Sequence, residues 1–176
     1  MDILFAAPEK AWNGFLSLLR AELPEHCFES SGRFGFDDLR GYDVLIPAMS
    51  EVTDKLLATG DRLKLVQQCG AGLDKVDLKA AARRNILVAN IPSGISGNAD
   101  SVAELGIYMI IGLARDVFSM ACNLRNRKIG EPPGRALTGK TIGIVGLGDI
   151  GRALIRRLRP FDVRLIGIKQ NNPASA

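Results

Sequence analysis

The hexapeptide Gly146-Leu147-Gly148-Asp149-Ile150-Gly151 constrains this chain more than any other stretch. It follows an apolar run at 141–145 that reads as a buried strand. It opens a segment at 150–159 with helical spacing, which Pro160 stops, and a second apolar run follows at 163–168. Strand, glycine-rich turn, helix and strand form a βαβ unit, which requires a parallel sheet with helices laid on its faces. A bare G-x-G-x-x-G is common in turns, but in this setting each glycine has a mechanical task. Gly146 permits the tight turn, Gly148 lets a pyrophosphate approach the backbone, and Gly151 lets helix and strand pack closely. The helix N-terminus adds unpaired amides and the positive end of its dipole. Leu147, Asp149 and Ile150 complete the turn, so all six residues are assigned to dinucleotide binding in a Rossmann-type unit.

The acidic residue that usually follows about 20 positions on is missing. No Asp or Glu comes after Asp162, and the second strand runs into Lys169-Gln170-Asn171-Asn172. A carboxylate there would hold the ribose hydroxyls of NAD and repel a 2′-phosphate, whereas Lys169 would attract that phosphate. NAD or NADP is expected, with NADP slightly favoured. The competing reading of Lys169 is a plain solvated lysine.

Upstream, short apolar runs at 3–6, 26–29, 43–46, 63–67 and 86–89 alternate with helical patterns at 9–21, 52–58 and 78–84. Gly60 stops the second of these helices. The result is a first α/β unit of ordinary small-domain size. Residues 90–100, with Pro92, two glycines and two serines, read as a linker. A long helix is predicted from Ser101, entered by an S-x-x-E capping box of Ser101 and Glu104. It is apolar on nearly all sides to Ala114 and is expected to be wedged between two packed layers. Residues 125–139, broken at Pro132-Pro133-Gly134, read as an extended arm.

With 47% hydrophobic and 24% charged residues the chain has the makings of a real core. The formal charge of +4 raises the question of an anionic polymer as partner. Its densest cluster, Arg152, Arg156, Arg157 and Arg159, lies on one predicted helix without aromatic interleaving, and reads as a solvated face rather than a nucleic-acid patch. Cys27, Cys69 and Cys122 are far apart and odd in number, which gives neither a disulfide framework nor metal-ligand spacing. The first residues lack a basic n-region, and the apolar run 105–114 is too short to span a bilayer. A cytoplasmic protein without metal, membrane or nucleic-acid partner is expected.

Three ordered segments carry a resemblance to a known family. They are LVQQCGAGLDKVD at 65–77, NIPSGISGNADSVAE at 90–104 and LTGKTIGIVGLGDIG at 137–151. In these the chain resembles the D-isomer-specific 2-hydroxyacid dehydrogenases, in their order and spacing. The resemblance implies an α/β fold with a flavodoxin-like substrate domain at 1–97. Residues 98–176 would then be the first βαβ part of a Rossmann dinucleotide domain, with a long interdomain helix and a dimerisation arm. Gly70-Ala71-Gly72 matches the family loop whose amides hold the substrate carboxylate. Ala71, Gly72 and Asn98 are therefore implied substrate contacts, and Val102 lies beside the nicotinamide. Small residues after a strand leave amides able to bind an anion, although the residues alone would fit a simple glycine turn.

The implied activity is NAD(P)-dependent interconversion of a D-2-hydroxy acid and a 2-keto acid. The family's acid/base machinery, an arginine and a histidine paired with a glutamate, lies downstream of the cofactor turn. The chain ends before it, and its only histidine, His26, matches none of these positions. It reads as a truncated N-terminal portion without a catalytic residue. Rival readings are a non-catalytic dinucleotide-binding module or corepressor-like pseudoenzyme, the product of a disrupted gene, and an adenosylhomocysteinase-like hydrolase. The GAGLD loop placed before SVAE argues against the last. Two strands alone would leave Ile142, Ile144, Leu165 and Ile168 partly uncovered, so a homodimer through residues from about Ser101 onward is expected.

Overall fold

A computed structural model of the chain describes residues 1–170. Asn171 and Asn172, which the sequence reading joins to Lys169, lie outside the described residues. The chain divides into two compact units, Met1–Pro92 and a second beginning at Ser93.

The first unit is a five-stranded sheet of β1 (Asp2–Phe5), β2 (Cys27–Ser30), β3 (Val44–Ile46), β4 (Leu65–Gln67) and β5 (Leu87–Ala89). Its order is β2-β1-β3-β4-β5 and every neighbouring pair is parallel. That is the flavodoxin-like order, whose direction of winding reverses between β1 and β3. Period-2 alternation splits the sheet into two cores. Leu4, Leu45 and Val66 point to one face, where Leu57, Val76, Ala80 and Ala81 cover them. Ile3, Phe5, Val44 and Ile46 point to the other, against Ala11, Leu16 and Phe28. The short helices α2 (Asp54–Leu57) and α3 (Leu78–Arg83) start where the Thr53 and Asp77 side chains accept the Leu56 and Ala80 amides.

The helix expected over 9–21 is broken. A 3-10 turn at Ala11–Asn13 precedes α1 (Phe15–Glu22), and Trp12, Asn13 and Gly14 all have positive φ, at 50°, 56° and 89°. The apolar spacing is helical throughout, but Gly14 is the residue that most readily enters the left-handed region, and the chain turns there.

In the second unit α4 (Asn98–Arg115) bends at Asp116 into α5 (Val117–Arg125). Residues 126–140 follow without helix or strand, as the predicted arm does. Then come β6 (Thr141–Val145), α6 (Asp149–Leu158), a 3-10 turn at Arg159–Phe161 and β7 (Arg164–Ile168). β6 and β7 pair in parallel, Val145 opposite Ile168. Among the described residues no single helix is long and apolar enough to cross a membrane.

Two expectations are corrected here. The α4 entry is not a Ser101–Glu104 capping box: the helix starts at Asn98 after Gly97, whose φ of 76° provides the turn, and Ser101 lies inside it. Glu104 instead accepts from Arg157 at 3.2 Å. Nor is α4 wedged between two layers. Ala99 and Ala103 are buried against Ala153 of α6, while Leu105, Tyr108, Met109 and Leu113 are exposed. Small residues let the two helices approach closely on one face, and the bulky residues fall on the others. Along α6 and the turn after it, Arg152, Arg156 and Arg159 are exposed, as a solvated face requires, and Arg156 and Arg157 both reach Asp100 at 2.7 Å.

Candidate functional site

The glycine-rich turn joins β6 to α6 and has the geometry its sequence requires. Gly146 has a φ of +95°, in the left-handed region that favours glycine. A Cβ on Gly151 would stand 2.1 Å from the Gly146 carbonyl oxygen, so the helix meets the turn where only glycine fits. Gly148, the N-cap of α6, has an extended backbone (φ −78°, ψ −160°), and a Cβ there would meet nothing within 4 Å. Among the described residues, the amides of Leu147, Gly148, Asp149 and Ile150 donate to no protein acceptor. A cradle of unpaired amides at the N-terminus of a ten-residue helix suits a pyrophosphate.

Side chains brace this turn. Leu147 lies over Gly167 of β7, where a Cβ would come within 2.7 Å of its Cδ2. The Asp149 carboxylate accepts from Ser93 Oγ at 3.2 Å, from the Gly94 amide at 3.1 Å and from Arg152 at 2.8 Å. The Ser93 hydrogen bond, then Arg152, holds its pKa below the ordinary aspartate value. That side chain is therefore committed to residues 93–94, and what Asp149 can offer a ligand is its amide. Lys169 follows β7 directly, and the Ile168 carbonyl accepts the Gly146 amide, so Lys169 sits at the same end of the strand pair as the turn.

The other candidate lies in the first unit, at the C-terminal ends of β3 and β4, beside the point where the strand order reverses. Ligands of open parallel sheets collect there. Gly70, Ala71 and Gly72 leave β4 as a loop pinned from β5: Ile91 donates its amide to the Gly70 carbonyl at 3.1 Å, and Asn90 Nδ2 donates to the Ala71 carbonyl at 2.7 Å. With the carbonyls so held, the amides of Gly70, Ala71 and Gly72 have no protein acceptor among the described residues. Next to the loop is a cavity of about 390 Å³ lined by Trp12, Phe15, Ala48, Gln68, Cys69, Gly70 and Gly72. Burial pushes the Cys69 thiol up to about 11, so it is neutral at pH 7.

Asn98 and Val102 stand one turn apart at the start of α4, both exposed and on one helix face. His26 precedes β2, at the end of the parallel sheet opposite to the Gly70 loop. Sequence reasoning missed Trp12 and Phe15, which looked like two apolar positions of one helix, and the attachment of Asp149 to Ser93 and Gly94. Gly14 beside Trp12 was the available signal for the former.

The profile of the D-isomer specific 2-hydroxyacid dehydrogenase catalytic domain matches residues 23–161. The chain belongs to this family. The human D-3-phosphoglycerate dehydrogenase is 37% identical over 126 residues, which are 70% of this chain and 23% of that protein. The glyoxylate reductase of Thermococcus litoralis is 32% identical over 140 residues, 74% of this chain and 41% of the relative. The NAD-dependent formate dehydrogenase of Staphylococcus aureus, solved in complex with NAD, superposes with a TM-score of 0.78 at 29% identity, over 98% of this chain and 57% of that one. The chain thus spans less than half the length of these two curated relatives and somewhat over half of the solved one.

Proposed function

We infer that this chain supplies the carboxylate-binding loop and the pyrophosphate turn of an NAD(P)-dependent oxidoreductase that interconverts 2-hydroxy and 2-keto acids. The observation that carries this reading is the contact of Gly151 with the Gly146 carbonyl below four unpaired amides. A bound nicotinamide dinucleotide supplies the hydride chemistry. The chain's own residues bind and orient: Leu147, Gly148, Asp149 and Ile150 through their amides, Lys169 toward a 2′-phosphate, Val102 beside the nicotinamide. Gly70, Ala71 and Gly72 would hold the acid's carboxylate through their amides, with Asn98 as a further substrate contact. NADP is slightly favoured over NAD because the acid that would grip the ribose is replaced by Lys169.

Backbone-amide NMR on the full chain tests the reading. NADPH is expected to shift the resonances of 146–151, and oxamate, a non-reducible analogue of a 2-keto acid, those of 70–72. Saturating ligand that leaves both sets unmoved would overturn it.

A further inference from the structure

We propose that the cavity walled by Trp12 and Phe15 takes the side chain of the 2-keto acid, and selects acids with an apolar side chain against those carrying a second anionic group. The proposal rests on the reading of Gly70–Gly72 as the carboxylate loop, because the same glycines line the cavity. A carboxylate held on their amides leaves its carbon chain next to the indole and phenyl rings.

The cavity's chemistry sets the preference. None of its lining residues is charged, and Gln68 already lends its side-chain oxygen to the Cys69 amide at 2.8 Å. A second carboxylate or a phosphate entering here would lose its water without a cation to replace it. The burial that penalises the Cys69 thiolate would penalise such a group in the same way. About 390 Å³ is ample for a branched or aromatic side chain. The wall is also built at a cost to the backbone. Trp12 is held at φ 50°, ψ 46° and packs edge-on to Phe5 and Phe15, each at 5.7 Å between ring centres. A bulky residue in the left-handed region is uncommon, and here it brings the indole to the cavity.

Trp12 is the only tryptophan, so its fluorescence reports on the cavity. Glyoxylate, 4-methyl-2-oxopentanoate and 2-oxoglutarate share the 2-keto acid head and differ in the group attached to it. Each methylene buried is worth about fourfold in affinity. The apolar acid is therefore expected to bind the full chain at least tenfold more tightly than glyoxylate, and 2-oxoglutarate no more tightly than glyoxylate. By calorimetry, Trp12→Ala should erase that advantage, while Trp12→Phe should keep most of it. Equal binding of all three acids, tightest binding of 2-oxoglutarate, or a preference that survives Trp12→Ala would overturn the proposal and leave the loop reading standing. If none of the three binds, the loop reading itself falls and the proposal with it.

Discussion

The backbone carbonyl of Gly146 occupies the space that a side chain on Gly151 would need, with 2.1 Å between the oxygen and the nearest position for a Cβ. Two glycines five residues apart thereby fix how closely α6 descends on β6. In Gly151→Ala, either the helix or the turn must shift, and over-packing of this kind costs about 1–3 kcal/mol. Urea denaturation should show a loss of that size in the second unit. An unchanged midpoint would mean that the helix accommodates the methyl group without strain.

Lys169 should decide between the two nicotinamide cofactors. Its place directly after β7 puts a positive charge at the end of the sheet where the glycine turn lies. NADPH is expected to bind at least as tightly as NADH, and Lys169→Asp should reverse the order, because a carboxylate repels the 2′-phosphate and accepts from ribose hydroxyls. Calorimetry that finds NADH clearly preferred by the unmutated chain would contradict this.

How far the sequence carried these readings can be seen at individual residues. The strand, glycine turn and helix at 141–158 were legible because they follow one another within one stretch of chain. The strands of the first unit were legible from short apolar runs, though ends moved by a residue or two, as at 63–67 against Leu65–Gln67. What escaped depended on distant partners. The helical spacing of 9–21 could not show that Trp12 would leave the helix to pack on Phe5. Ser101 and Glu104 have the spacing of a capping box, but Arg157 lies 53 residues beyond Glu104 and takes the carboxylate instead. The apolar stretch 105–114 said that this helix is greasy without saying how much of it the chain would cover.

The 176-residue chain by itself should show no dehydrogenase turnover above background. Its only histidine stands at the end of the sheet away from the Gly70 loop, and general acid/base catalysis contributes about two to four orders of magnitude. Steady oxidation of NADPH by glyoxylate or hydroxypyruvate with pure chain would show that other groups do this work.

The second unit should associate with a second copy. Leu113, Phe118 and Ile129 are 84%, 90% and 87% exposed, and among the described residues β6 and β7 each have one unpaired edge. At about 25 cal/mol per Å², a few hundred Å² of such surface amounts to several kcal/mol. Light scattering is expected to give a dimer. A strict monomer whose amides are protected throughout 141–168 would contradict the packing argument.

The most direct test of the account is a titration of NADPH into the unmutated chain and into Gly148→Val, followed by nicotinamide fluorescence. Gly148 has an extended backbone, and a Cβ there would meet nothing within 4 Å, so the variant should keep its circular dichroism spectrum. That open space is where the pyrophosphate is assigned, and the affinity should fall more than tenfold. If folded Gly148→Val binds NADPH as tightly as the unmutated chain, the dinucleotide does not lie on this turn.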